Sequence, residues 1–213
     1  MSDNKREKFA ELNVEKLNIV DKNGKIKMTL FNQDNIPPLI LDGVDIMPGH
    51  RQSDPDSGIM FYNGKGEECG GLLYGSEEDE KGNYKASASL TFDQYNTDQV
   101  LQVHYVDDNG EQLYGFSVFD RPKTPLSQLV EKYQQIQQSN ISNESKERET
   151  KELLKGNAQR VFMGKNKSGD VSVQLMDSKG NQRIRMVVDK DDVPRMEFLN
   201  EKGEVTYKLP PED

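Results

Sequence analysis

A chain of 213 residues with 33% hydrophobic and 31% charged residues, and no Trp, suits one β domain with a thin core and leaves little for a large dry cavity. Its formal net charge of -9 and the absence of a basic run argue against a nucleic-acid partner, whose phosphates are held by clustered Lys and Arg. No apolar stretch is long enough to span a bilayer, the start from Met1 to Lys8 lacks the apolar core of a signal peptide, and the lone Cys69 excludes an intramolecular disulfide, so no membrane association is expected and the expected location is the cytoplasm.

In chain order, residues 1–11 read as a flexible tail, 12–122 as a β region, 123–157 as a helical insertion or connector, and 158–213 as a C-terminal β meander completing the same domain. The β region opens with Leu17-Asn-Ile19-Val20, then Asp21 to Gly24, then Ile26-Lys-Met28-Thr-Leu30. Apolar and polar side chains alternate on either side of a turn, which predicts a hairpin with one buried and one wet face. The same Asp/Asn-x-x-Gly turn recurs at Asn63, Asp79, Asp107, Asn166, Asp177 and Asn200. In such a turn the Asp or Asn side chain accepts a backbone N–H two residues on, and Gly takes the left-handed position. Each is predicted to be a three-residue loop with a Gly bulge.

The stretch Asn32 to Leu41, with Ile36-Pro37 at its centre, parallels Asp189 to Phe198, with Val193-Pro194, and the turns ahead of both match; Asn109 to Pro122 is a weaker third copy. This suggests an internal duplication. Self-similar hairpins with one apolar face must stack or close on each other. The predicted fold class is therefore all-β and mainly antiparallel, with repeated hairpins in a barrel-like or propeller-like meander, and a homo-oligomer is possible.

The hairpin rule does not explain the residues between Glu67 and Gln99. Gly70 and Gly71 suggest a bulge or a close backbone approach. Polar groups are dense around them, and the candidate cluster is Glu67, Glu68, Asp93, Gln94, Tyr95, Asp98, Gln99 and His104. In one reading Glu67, Glu68, Asp93 or Asp98 serves as acid or base with help from Tyr95 or His104. In the other the cluster is a hydrogen-bonded corner that satisfies its own backbone. His50 and His104 are too few and too far apart for a metal motif, and the acidic turns lack the remaining ligands of a calcium loop, so neither metal nor cofactor is expected.

Thr124-Pro125-Leu126 predicts a helix N-terminus with Thr124 as cap, and Leu126, Leu129, Val130, Tyr133 and Ile136 share one face. Residues 144–154 are almost all polar and read as a solvated helix or a linker that Gly156 ends. The hairpin pattern then resumes at Val171, Ile184 and Met196.

Across residues 14–209, the motifs Phe61-Tyr-Asn63 with Gly66-Glu67, Gly70-Gly71-Leu72, Leu90-Thr-Phe-Asp93-Gln-Tyr95 with Asp98-Gln99, and Phe119-Asp-Arg121-Pro122 are similar to those of a group of bacterial proteins without known activity. The resemblance implies no catalytic residue. Nor does the chain hold a phosphate-cradling Gly-rich loop, a nucleophile elbow or a dinucleotide fingerprint. The expected function is a non-catalytic β scaffold that binds a partner protein or small ligand, or self-assembles. The alternatives are an enzyme with a carboxylate acid/base site at Glu68, Asp93 and Asp98, and carbohydrate or metal-ion binding at the acidic loops.

Overall fold

A computed structural model describes residues 7–51 and 53–211. Residues 1–6 of the expected N-terminal tail lie outside the described residues. The elements in order are β1 (Lys16–Val20), β2 (Ile26–Phe31), β3 (Ile40–Leu41), β4 (Val44–Asp45), β5 (Asp56–Tyr62), β6 (Glu68–Glu78), β7 (Tyr84–Asp93), β8 (Gln99–Asp108), β9 (Glu111–Asp120), α1 (Leu126–Gln138), α2 (Asn143–Leu153), β10 (Ala158–Lys165), β11 (Val171–Met176), β12 (Gln182–Val188), β13 (Pro194–Leu199) and β14 (Val205–Leu209). β3 pairs with β4, and the other twelve strands form one sheet in chain order. Every pairing in it is antiparallel. The hairpin meander is present as expected, but the sheet stays open, with β1 and β14 each bound to a single neighbour.

All seven Asp/Asn-x-x-Gly segments join consecutive sheet strands. At the first, Asp21 Oδ1 accepts the backbone N–H groups of Asn23 (2.8 Å) and Lys25 (3.1 Å), and Gly24 at φ 81° donates to the Asp21 carbonyl (2.9 Å). Asp79 and Asp177 repeat this arrangement. The Asp107 turn differs from expectation: Asn109 (φ 52°) and Gly110 (φ 90°) are both left-handed between the paired Asp108 and Glu111, which makes it a two-residue type I′ turn. Two further hairpins do without Gly, with Asn96 or Asp192 at positive φ. Asn and Asp tolerate that region because their short polar side chains bond locally. The Gln94–Asp98 stretch is thus one of the turns, closed by Gln94 N–H to the Asp98 carbonyl at 3.1 Å.

The two segments matched as copies each form one Asp-x-x-Gly hairpin, β1–β2 and β11–β12, and then diverge. The Asp189 turn leads straight into β13, which pairs with β12. At the equivalent point Asn32 enters a 3-10 turn, Gln33–Asn35, and β2 finds its next partner only in β5, after the excursion through residues 36–55.

Among the described residues, the broad contacts between elements are those of sheet neighbours and of α1 with α2, and neither helix makes broad contact with any strand. The chain exposes 14743 Å², against roughly 10,000 Å² for a compact protein of 24.3 kDa. The segment before β1, the helices and the uncovered sheet all contribute to that excess. The expectation that the apolar face would be the buried one is reversed. Of the residues deepest from solvent, Ser117, Thr29, Met60, Ser172 and Glu197 lie on the opposite, polar face, while Asp107 lies on the apolar side next to Tyr105, whose hydroxyl donates to it (3.1 Å). With no second layer, burial comes only from taller neighbours on adjacent strands. Thr29 sits between Asn18 and Met60 and donates to Asn18 Oδ1 (2.8 Å), and Ser117 sits between Gln102 and Phe162. Phe162 lies against Gly115 and Gly164, where an added Cβ would be 3.0 Å from its ring.

Pro125, not Thr124, occupies the N-cap of α1, and no side chain caps it; the Leu126 N–H instead donates to the Asn96 carbonyl (2.9 Å). Leu129 is the buried residue of that helix. Residues 143–153 form a helix rather than a linker, capped by Ser142 through Ser145 N–H (3.3 Å). Asp120 and Ala158 pair across β9 and β10, so the helical pair leaves and rejoins the sheet at one point.

Candidate functional site

One end of the sheet gathers most of the polar cluster, because β6 and β8 start there and β7 and β9 finish there. Glu68 accepts both terminal nitrogens of Arg51, at 2.7 and 2.9 Å, and both side chains are largely buried. Arg121 bridges the next two strands: its Nη1 is 3.3 Å from Asp98 Oδ2, and its Nε donates to the Gln99 carbonyl at 2.7 Å. Asp93 lies between these ion pairs. Its Oδ1 is closed off from solvent and accepts no hydrogen bond. Burial first, then the charges of Glu68 and Asp98, push its carboxyl up to about 7 despite Arg121 and Arg51. Burial first, then Asp93 and Glu68, push the Cys69 thiol up, which disfavours its reactive thiolate form.

Glu67 belongs to the turn beside this cluster. It is buried and accepts Asn63 Nδ2 (3.0 Å) and the Asp42 N–H (3.3 Å). Gln94 donates to the Pro122 carbonyl (3.3 Å). Two candidates do not join. The Tyr95 ring points to solvent beside Lys65, whose Nζ is 5.7 Å from its centre. His104 lies five positions along β8 from Gln99, about 17 Å, between Ser89 and Gly115 on the polar face. There it stacks on Phe162 at 6.2 Å, and burial lowers its pKa.

General acid/base work needs uncommitted groups within reach of one substrate. Here guanidinium groups engage Glu68 and Asp98, which leaves Asp93 alone. Among the described residues no three His, Cys, Asp or Glu side chains converge as metal ligands. At the acidic turns of Asp21, Asp79 and Asp177, Oδ1 is taken by backbone N–H groups and Oδ2 meets Lys27, Asn83 or Asn181.

The opposite case is the apolar face. Following the register across the sheet, Leu17 faces Leu30, then Ile59, Leu72, Leu90, Val103, Phe116, Met163, Val173, Met186, Met196 and Leu209. Each of the twelve strands contributes one member, every member is apolar, and none is buried. Val103 is 51% exposed and Met163 52%. Flanking rows continue the pattern: Phe92, Leu101, Val118, Val161, Leu175, Ile184, Phe198 and Tyr207 on one side, and Tyr74, Ala88, Tyr105, Tyr114, Lys165, Val171 and Val188 on the other. Where Gly70 contributes no side chain, Phe61 and Phe92 stack across it at 6.5 Å. Two shallow grooves, of about 540 and 670 Å³, lie along this face, the first by Leu72, Leu90 and Val103, the second by Met163, Val173 and Met186.

The chain matches no protein-family model and no curated protein sequence.

Sequence reasoning found the carboxylates but not the two arginines that bind them. Arg121 stands in the Phe119–Pro122 motif that carries the resemblance and Arg51 in the stretch ahead of β5, and neither segment names its carboxylate partner. The apolar rows were missed for a different reason. Alternation within each strand is visible, but the alignment of strands depends on counting each turn's bulge.

Proposed function

We propose that the protein is a non-catalytic, cytoplasmic β scaffold that works by docking protein on the apolar face of its sheet. The row from Leu17 to Leu209 supports this most directly. An antiparallel sheet with one face in water normally turns polar side chains outward there. Here twelve strands, spaced about 4.8 Å apart, carry an apolar strip roughly 53 Å long. With its flanking rows the strip is roughly 20 Å wide, about 1,000 Å², well above the few hundred Å² of contiguous apolar surface usual on a soluble monomer. The acid/base reading has less support, since Asp93 has no uncommitted partner beside it.

A photo-cross-linking residue in place of Val103, in the living cell, tests the proposal. A discrete protein adduct is expected from Val103, and none from the same residue in place of Ser87, which is exposed on the opposite face. No adduct from Val103 would overturn it.

A further inference from the structure

We infer that the occupant of the apolar face is the same face of one or more further copies of this chain; this rests on the docking reading above. The first argument is the missing core. Eight apolar residues are buried among those described, and no member of the central row is one of them. A sheet left so bare needs a permanent cover, present in proportion to the chain, and a second copy meets that condition automatically. Closed assemblies of identical chains are the commonest permanent ones.

Area agrees. About 1,000 Å² from each copy gives about 2,000 Å² in a pair, where obligate homodimers begin, and the chain's surface exceeds that of a compact protein by more than this.

Shape and charge narrow the choice further. Successive strands rotate by roughly 20°, so a strip of twelve turns steadily along its length and drifts away from any flat or rounded partner. A copy carries the same twist of the same hand, which is the condition under which two sheets pack face to face, their strands within about 30°. Lys165 is the only charged residue in the three rows, although the chain carries -9 overall. Two copies that meet through these rows therefore bring none of the rows' side chains into acidic repulsion, and an oppositely charged partner would gain little from them.

Sedimentation of the full-length chain at micromolar concentration should give an integer multiple, two or more, of 24.3 kDa. Tagged and untagged copies expressed together should co-purify. Glutamate at both Val103 and Met163 should weaken association about tenfold or more, while Ser87→Glu leaves it unchanged. If the double variant loses its β circular dichroism, Val103→Gln alone decides, with weakened association again expected. A wild-type monomer without co-purification would overturn the inference, as would an oligomer indifferent to folded row variants. A Val103 adduct with a different protein, from a chain that sediments as a monomer, would discard the copy as occupant while leaving the docking reading intact.

Discussion

Glu197 shows how the polar face holds charge without a covering layer. Its carboxylate, 5% exposed, meets Arg185 on one oxygen and Arg195 Nε on the other (3.1 Å), and Arg195 Nη1 continues to Asp189 Oδ2 (2.6 Å). Removing the shared anion leaves two guanidinium groups facing each other. Glu197→Ala is expected to lower stability by about 3 kcal/mol, read as a lower urea midpoint. Asp93 gives the opposite kind of prediction. Its carboxyl keeps a proton to about pH 7 in the folded chain, against an ordinary value of 3.8. Between those values the folded state binds more protons than the unfolded one, so stability falls as pH rises through this window. Asp93→Asn should therefore exceed the parent in stability by on the order of 2 kcal/mol at pH 8, with the gap closing near pH 4; an unchanged pH profile would refute the assignment. None of this could be read along the chain. The Asp93 environment needs Arg51 and Arg121 brought from segments 42 and 28 positions away, and that takes both the strand register and the path of the chain ahead of β5 and after β9.

At the scale of elements, the hairpins were the most legible feature, because each turn carries its own chemistry within four residues: a side-chain acceptor, and a Gly where the backbone turns left-handed. Of the two turns without Gly, the one at Asp192 follows from the strand spacing after β10, but the one at Asn96 was not seen, and its polar residues were set apart as a candidate cluster for that reason. The α1 cap was misplaced by one residue, since tertiary contact of Leu126 with the Asn96 carbonyl replaced the expected Thr124 bond. Because the helical pair leaves and rejoins the sheet beside the Asp120–Ala158 pair, a short Gly/Ser link in place of residues 124–156 should abolish the helical circular dichroism and keep the sheet. Losing the burial of Leu129 and its neighbours should cost about 2 kcal/mol. Thermal melting measures that cost, and sedimentation of the same variant shows whether the helices contribute to assembly.

For the whole molecule, alternation and turn spacing were enough to predict an antiparallel meander, but not whether it closes. Closure depends on the accumulated twist and on whether the first and last strands meet, and no local pattern encodes either. The burial forecast failed for the same reason: it assumed a second layer inside the chain. Strand pairing follows chain order without exception in the large sheet, and this bears on biosynthesis. Each hairpin has its partner strand in hand as soon as the next turn leaves the ribosome, so pairing keeps step with translation from β1 onward. A nascent chain halted at any turn in the sheet is a narrower version of the finished one, and β1 to β9 complete their half before the helices are made.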